Sequence, residues 1–240
     1  RAARRIDFDN EGDRTEMLGG ARYFLEDDLA FLDAPGEFFL DAKSGTLYVI
    51  PLGGSEPGKG VFTGPRLLTL IRVQGTGRAA AAHHIRFEGL SLEETDALSP
   101  SLFWWRHGWG RKDHALLSLS ATEEITVSNC RLKNSGRHGV LMVGHNVSNT
   151  VTGCLVEHVG ISGLTLCNRF SEPGTKTATR DRLEHNRLCN NRVRFAGELG
   201  IYCSSVEIMS GSSNELCHSE LTDSPRYAFT MRGNTYSETT

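Results

Sequence analysis

The chain has 240 residues, 38% hydrophobic and 23% charged, which is enough for one large folded domain or a domain with a small appendage. The formal net charge is −3, so the chain has no broad basic surface to hold a polyanion, and this argues against nucleic-acid binding. No apolar run is long enough to cross a membrane. Glycine is abundant, with 26 residues against 7 prolines, and this indicates many tight turns between short strands.

The N-terminal third of the sequence predicts short strands. Residues 37–40 and 46–50 flank a turn at Gly45, and Pro51 ends the second strand, so together they predict a β-hairpin. The first residues, 1–8, lack the apolar run of a signal peptide and do not begin with Met. We therefore interpret the chain as a section of a longer polypeptide.

Composition changes along the chain, because all nine histidines and all six cysteines lie after residue 82. We predict an N-terminal β region at 1–82, with the remnant of an inserted β module as one interpretation. The second predicted region, 83–240, carries the ligand chemistry.

Segments beginning at Ile125, Asn149, Asp181 and Asn214 share a pattern of short apolar strands, and a second strand follows each. Ile125 and Asn149 are 24 residues apart. Such a period without helical patterning predicts a stacked coil. We expect an all-β fold, a right-handed parallel β-helix (a solenoid) with an N-terminal β-hairpin region. Its rungs occupy 83–240 and are incomplete at the C-terminus.

The aligned segments define columns of like residues, about 4.8 Å apart from rung to rung. The third residues of the four segments are Val127, Val151, Leu183 and Leu216, and their last residues are Leu132, Val156, Leu188 and Leu221. The inward columns of the second strand comprise Val140, Leu164, Val206 and Phe229, and Met142, Leu166, Ile208 and Met231. One outward column comprises Leu141, Thr165, Glu207 and Thr230, and a polar turn column comprises Asn134, His158, Asn190 and Asp223.

Residues 23–41 followed by 45–51 resemble a stretch of right-handed β-helix glycoside hydrolases, most closely the group around glycoside hydrolase family 141, with families 110 and 120 as relatives in style. Residues 129–140, 153–160 and 196–201 are similar to helix rungs of that group. The resemblance implies a carbohydrate-active enzyme. It transfers no catalytic residue, because β-helices also host lyases, esterases and binding surfaces.

The candidate catalytic residues are Glu207, Glu198 and Asp223. Glycoside hydrolysis uses two carboxylates, about 5 Å apart for retention or about 6.5–9.5 Å for inversion, and rung spacing provides both separations. Glu207 is preferred because an acid in a strand with apolar neighbours is costly unless it is used. The alternative is that all three are solvated surface charges.

The candidate substrate-binding residues comprise Trp104, Trp105, Trp109, His138, Arg226, Tyr227 and Arg232. The tryptophans lie in a break between rungs, where broad aromatic faces stack on sugars. The basic groups suit a uronate, a sulfate or a hydroxyl. The alternatives are tryptophans packed onto the coil and salt bridges along it.

We predict no metal site and no cofactor. His83 and His84 are adjacent, so on a strand they point to opposite faces and are poor joint ligands. Cys130 and Cys154 fall in one column, and we expect stacked thiols because in-register neighbours lie beyond usual disulfide range.

The leading hypothesis is a glycoside hydrolase that binds an oligo- or polysaccharide, with no nucleic-acid or membrane partner and a location outside the cytoplasm favoured. One alternative is a polysaccharide lyase acting on a uronate-containing glycan, which five lysines and the lack of a dense acidic calcium cluster make less favoured. The other is a non-catalytic solenoid that binds a glycan or a protein partner.

Overall fold

The computed structural model describes residues 28–54, 56–97, 114–167, 181–200, 203–209 and 211–231. The chain divides into two compact units, Arg1–Thr63 and Gly64–Thr240. The described residues are almost entirely strand and turn, with short 3-10 helices at Leu29–Phe31, Leu52–Gly54 and Pro57–Lys59. No helix among the described residues is both long and apolar enough to cross a membrane.

The first unit contains the predicted hairpin, β1 (Phe38–Asp41) and β2 (Thr46–Val49), which pair antiparallel. The Asp41 carboxylate holds the turn, because it accepts hydrogen bonds from the Lys43 backbone N–H at 2.9 Å and the Ser44 hydroxyl at 2.6 Å. Gly45 completes the turn at φ 68°, a conformation that favours glycine. The hairpin prediction is confirmed.

The second unit consists of three parallel sheets, here called sheets I, II and III. Sheet I has eight strands: β3 (Ile71–Gln74), β4 (Ala82–His83), β7 (Ala115–Glu123), β10 (His138–Val147), β13 (Leu164–Cys167), β14 (Leu183–Glu184), β17 (Ser204–Ile208) and β20 (Tyr227–Met231). Sheet II has five: β5 (Arg86–Glu88), β8 (Thr126–Ser128), β11 (Thr150–Thr152), β15 (Arg187–Cys189) and β18 (Glu215–Cys217). Sheet III has five: β6 (Ser91–Glu93), β9 (Arg131–Ser135), β12 (Leu155–Val159), β16 (Arg192–Ala196) and β19 (Glu220–Leu221).

From β7 onward the chain enters sheets I, II and III in turn and then returns to sheet I. Residues with positive φ mark the three corners of this path. Between sheets I and II they are His84, Glu124, Ser148, His185 and Ser213, and between sheets II and III they are Gly89, Asn129, Gly153, Asn190 and His218. Between sheets III and I they are Glu94, Asn134, His158, Phe195 and Asp223. Each corner therefore has at least one left-handed residue per circuit, with Gly211 and Gly197 as second ones beside Ser213 and Phe195.

The predicted columns of the second strand are confirmed by the strand register. Val140 pairs with Leu164, Leu164 with Val206, and Val206 with Phe229. The first three members are buried in the main core, whereas Phe229 is 38% exposed on the last described strand of sheet I.

The predicted register of the third segment is wrong by five residues. Leu188, not Leu183, pairs with both Val151 and Leu216, and Leu183 pairs with Asn146 in sheet I. Apolar residues recur every five positions here, so the apolar pattern alone allows both alignments. For the same reason Phe195, rather than Asn190, follows His158 in the turn column.

A buried asparagine ladder sets the correct register. The Asn149 backbone N–H donates to the Asn186 side-chain oxygen at 3.1 Å, and the Asn186 N–H donates to Asn214 in the same way at 3.0 Å. Asn149 and Asn186 are fully buried, so these bonds satisfy groups that have no access to water.

The cysteine predictions are confirmed in one column and incomplete in another. Cys130 and Cys154 are buried thiols, and burial raises the pKa of Cys154 to about 11. Cys189 and Cys217 form a disulfide between in-register neighbours with a Cα–Cα distance of 4.6 Å. The expectation that such neighbours lie too far apart is wrong for this pair, because 4.6 Å falls within the usual range.

The compact units divide between Thr63 and Gly64, inside the predicted N-terminal region. Strands β3 and β4 pair with β7 and so belong to the second unit. The division of the chain into parts at 1–82 and 83–240 stays a prediction.

Candidate functional site

The corner between sheets III and I, called the III–I corner, brings together several predicted site residues. It comprises residues 94–97, 134–138, 158–163, 195–200 and 223–227. Glu198 follows β16, Asp223 follows β19, and Arg226 directly precedes β20. The segment with Trp104, Trp105 and Trp109 connects β6 to β7 at this corner in the chain order, but it lies outside the described residues, as does Arg232.

Glu198 is held by a histidine that sequence reasoning assigned only to a turn ladder. His158 Nδ1 lies 2.9 Å from Glu198 Oε1, and the two side chains are 37% and 47% exposed. The His158 ring stacks on Phe195 with a centroid distance of 4.7 Å. Phe195 has φ 53°, which is unusual for a bulky residue and marks local strain.

Asp223 continues the same corner column and is exposed. Its carboxylate accepts a hydrogen bond from the Thr222 hydroxyl at 2.8 Å. Two register steps separate it from His158, about 10 Å of backbone. Glu198 and Asp223 therefore both lie at the III–I corner. Glu198 lies beside His158, and Asp223 lies two strands further along the turn column.

Glu207 lies on the outer face of sheet I, as predicted, in register with Thr165 and Thr230. The outward column is buried over Leu141, Thr165 and Glu207. Glu207 is 7% exposed and Thr165 fully buried, and the apolar cluster of Ala115, Leu141, Cys167 and Met209 lies on the same face. Glu207 is therefore a buried carboxylate among hydroxyl-bearing and apolar neighbours.

His138 joins this face through Thr165. The Thr165 hydroxyl lies 3.1 Å from His138 Nδ1, and His138 is 1% exposed. The Ser204 hydroxyl contacts the Thr230 hydroxyl one strand further on. A band of hydroxyl and imidazole groups thus runs from the III–I corner to Glu207.

Arg226 and Tyr227 form a pair at the start of β20. The Arg226 guanidinium lies 4.8 Å from the Tyr227 ring centroid, and Tyr227 is 45% exposed. This is a cation–π geometry, and it presents a flat ring with a positive charge to solvent. Arg137, which directly precedes β10 as Arg226 precedes β20, is only 2% exposed.

The adjacent outer face of sheet III carries an ion network that sequence reasoning missed. Glu157, 3% exposed, binds Arg131 at 2.9 Å and Arg194 at 2.7 Å. Burial raises the pKa of Glu157, but hydrogen bonds and charge from Arg194 and Arg131 outweigh burial and bring this pKa below its ordinary value. The network holds β16, the strand that leads to Phe195 and Glu198, and it therefore stabilises the III–I corner.

Two further arrangements lie away from this corner. An open groove of about 380 Å³ at the II–III corner is lined by Asn190, Asn191 and His218, with the Arg192–Glu220 ion pair at 2.8 Å. Among the described residues, Cys189, Glu215 and Cys217 bring three metal-capable atoms within 4.8 Å of one another, but the disulfide uses both sulfur atoms.

The comparisons with known proteins bear on the fold. No protein-family model matches the chain, and no curated protein matches it. A solved structure titled "Glycoside hydrolase" is similar, with a TM-score of 0.62 and 20% sequence identity. The match covers 78% of this chain and 40% of that one, so the chain spans less than half the length of the similar protein. At this identity the likeness shows a shared fold.

Proposed function

We propose that the second unit is a section of a right-handed parallel β-helix and that it acts on carbohydrate as a glycoside hydrolase. The repeated passage through sheets I, II and III supports the coil. Parallel strands joined across a connection are right-handed in about 98% of cases, which supports its hand. The fold shared with a glycoside hydrolase and the resemblance of residues 23–51 to such enzymes support the activity.

Glu207 is the observation on which the proposal rests. It is the buried member of the three candidate carboxylates, at 7% exposed, and it lies in register with Thr165 and Thr230 on the outer face of sheet I. We assign Glu207 to protonation of the glycosidic oxygen as the bond to the sugar carbon breaks.

The second carboxylate is Glu198 or Asp223, both exposed at the III–I corner. An ionised carboxylate either attacks the sugar carbon directly or removes a proton from an attacking water. Glu198 is the better candidate, because its carboxylate lies 2.9 Å from His158 Nδ1, and this contact holds it in place at the corner. The separation of the two carboxylates in the working enzyme decides between retention and inversion.

The substrate is an oligo- or polysaccharide that lies along the III–I corner. The exposed Tyr227 ring and its Arg226 partner offer a stacking face and a hydrogen-bond donor to a sugar. Trp104, Trp105, Trp109 and Arg232 complete this surface in the proposal, and His138 orients groups near Glu207 through Thr165.

The test is a panel of oligo- and polysaccharides assayed both for new reducing ends and for unsaturated products. We expect reducing ends from one glycan class and a loss of at least about a hundredfold in Glu207→Gln, in line with the contribution of a general acid. Glu215→Gln is the matched control, since Glu215 is an exposed carboxylate on sheet II. Full activity in Glu207→Gln removes Glu207 from the catalytic role.

The two alternatives give different outcomes in the same assay. New reducing ends matched by unsaturated products indicate a polysaccharide lyase, in which a basic group removes the proton beside a uronate carboxylate and the glycosidic bond breaks by elimination. Reducing ends without unsaturated products indicate hydrolysis. Binding of a glycan without any product indicates the non-catalytic solenoid.

A further inference from the structure

The outer face of sheet II carries a cysteine–glutamate cluster that the proposed function does not use. The cluster comprises Cys189 of β15 with Glu215 and Cys217 of β18. Two sulfur atoms and one carboxylate oxygen lie within 4.8 Å of one another. Among the described residues no other set of three histidine, cysteine, aspartate or glutamate side chains converges so closely.

Strand register places the three side chains of the cluster on one face. Cys189 pairs with Cys217 and Arg187 pairs with Glu215, whereas Leu188 lies in the main core. Because side chains alternate along a strand, the cysteines, Glu215 and Arg187 all point to the outer face. Backbone pairing sets this arrangement, so opening the S–S bond leaves the three groups of the cluster side by side.

The histidines at the I–II corner do not form a comparable set. His83 and His84 face each other, with their Nδ1 atoms 2.6 Å apart, because His84 turns the chain at φ 57°. The expectation that these two rings point apart is therefore wrong. His84 Nε2 also lies 2.6 Å from a carboxylate oxygen of Glu124, but among the described residues no third ligand atom converges on this pair.

We propose that the reduced form of the cysteine–glutamate cluster binds a divalent transition-metal ion of the Zn²⁺ class. Cys189 and Cys217 provide two thiolate sulfurs, Glu215 provides a carboxylate oxygen, and water completes a tetrahedral site. Thiolate ligands select Zn²⁺ over Mg²⁺ and Ca²⁺, which prefer oxygen. The disulfide and the metal site are alternative states of the cluster, because both use the same two sulfur atoms.

A small-molecule thiol interconverts the two states. Its thiolate attacks one sulfur of the disulfide, the S–S bond breaks, and a mixed disulfide forms, which a second thiol resolves into a free cysteine and the disulfide of the reductant. The two cysteines thereby gain two electrons and two protons, and both protons leave when the thiolates bind the ion. Cys217 is half-buried whereas Cys189 is 1% exposed, so the attacking thiol reaches Cys217 from solvent.

The charges around the cluster balance when the ion is bound. Two thiolates and the Glu215 carboxylate carry three negative charges, and Zn²⁺ supplies two positive charges. Arg187 supplies the third, since its Nε lies 3.0 Å from Glu215 Oε2. A ligating carboxylate commonly has such a hydrogen-bonded partner, and a guanidinium group favours the thiolate form of nearby cysteines.

The two sulfur atoms need only a short displacement to hold the ion. Zn–S bonds of about 2.3 Å in a tetrahedral site put two sulfurs about 3.8 Å apart. The Cα atoms of Cys189 and Cys217 are 4.6 Å apart, so rotation of the side chains can provide this separation. The pairing of β15 with β18 is then retained.

A second pair of cysteines offers a matched comparison within the same chain. Cys130 and Cys154 also occupy one column in neighbouring circuits, and both are buried thiols. Burial raises the pKa of Cys154 to about 11, which keeps this thiol protonated. Among the described residues no carboxylate or imidazole converges with these two sulfurs, so we expect no metal site there.

The experiment is a calorimetric titration of the full chain with Zn²⁺ alone, before and after reduction by a phosphine that is removed under anaerobic conditions. We expect one ion per reduced chain and none per disulfide-bonded chain. Binding to the reduced chain should be lost in Cys217→Ser and about tenfold weaker in Glu215→Gln. The matched control is Cys154→Ser, which should bind like the unaltered chain.

A second measurement reads the ligand atoms directly. Co²⁺ bound by thiolates gives a sulfur-to-cobalt charge-transfer absorption, which we expect in the reduced unaltered chain and in Cys154→Ser but not in Cys217→Ser. Glu215→Gln changes a side chain that is 54% exposed, so its weaker binding tests the site without disturbing the core.

Three results would each overturn the proposal: no one-to-one binding by the reduced chain, equal binding by the reduced and disulfide-bonded chains, or a loss in Cys154→Ser as large as that in Cys217→Ser. The result is independent of the glycan assays and of the unfolding measurements on Glu215→Gln, which use the disulfide-bonded chain. In that chain the sulfur atoms are bonded to each other, so Glu215→Gln remains a control there.

Discussion

At the scale of single residues, Glu157 shows how the outer face of sheet III tolerates a buried charge. Its carboxylate is 3% exposed, yet Arg131 and Arg194 bind it while remaining 49% and 39% exposed themselves. The guanidinium groups thus keep contact with water as they neutralise the buried group. This arrangement avoids the full cost of burying both members of an ion pair.

Glu157→Gln should lower the free energy of unfolding by about 1–3 kcal/mol near neutral pH, because the amide cannot balance the two guanidinium groups. The pKa of Glu157 is lowered in the folded state, so its contribution is present above the unfolded pKa and is lost as pH falls through the folded pKa. Urea unfolding at neutral and acidic pH should therefore show a difference that shrinks on acidification.

Glu215→Gln is the control for this prediction. The Arg187–Glu215 pair joins side chains that are 55% and 54% exposed, and exposed pairs contribute about 0–1 kcal/mol. An equal effect of both substitutions at neutral pH contradicts the role assigned to Glu157.

Some site residues were predictable at this scale and others were not. The alternation of the second strand places Glu207 between Thr165 and Thr230, and this register is observed. Its burial depends on what covers the outer face, which strand alternation does not encode. The convergence of His83 and His84 depends on one left-handed residue, and histidine at that position gives little warning of it.

At the scale of strands and corners, small residues fix how closely successive turns of the chain approach. Gly136 and Gly160 follow β9 and β12 in equivalent positions. A Cβ added at Gly160 would lie 2.5 Å from the Gly136 carbonyl oxygen. The obstacle is backbone, so it cannot move aside as a flexible side chain would.

Gly160→Ala should therefore lower the free energy of unfolding by about 1–3 kcal/mol, a usual cost of overpacking. The measurement is thermal or urea unfolding beside Gly64→Ala, where a Cβ meets no atom within 4 Å. Unchanged stability in Gly160→Ala would mean that the corner has more room than the structure assigns to it.

The strand register was predictable from two signals taken together. These are the apolar pattern and the polar residue that begins each segment. Asn149 and Asn214 begin their segments in the predicted alignment, and Asn186 is the member that alignment missed. Leu183, Leu188 and Val193 recur at five-residue steps, so hydrophobicity cannot choose between two alignments. Buried amide bonds to the neighbouring strand make that choice.

At the scale of the whole molecule, the all-β class and the parallel pairing of sheets I, II and III follow the segment repeat that the sequence displays. The disulfide was not predictable, because Cys130–Cys154 and Cys189–Cys217 have the same in-register relation and only the second pair is bonded.

Under denaturing, non-reducing conditions four of the six cysteines should react with a thiol reagent, and all six should react after reduction. Opening the Cys189–Cys217 bond, which spans 28 residues, should lower the free energy of unfolding by about 3.6 kcal/mol, since the bond restricts the unfolded chain. Cys154→Ser provides the comparison for a buried thiol without a bond. Six reactive thiols before reduction would refute the pairing.

The left-handed residues at the corners have a consequence for how such a chain diversifies. Each strand is hydrogen-bonded to strands of the adjacent circuits, and the corner residues lie where one strand ends and the next begins. Extra residues inserted after one strand ends and before the next begins displace no inter-strand hydrogen bond. Sequence can therefore lengthen between β6 and β7 and between β13 and β14 while the pairing of those strands is kept. New binding surfaces can thus be acquired without a new scaffold.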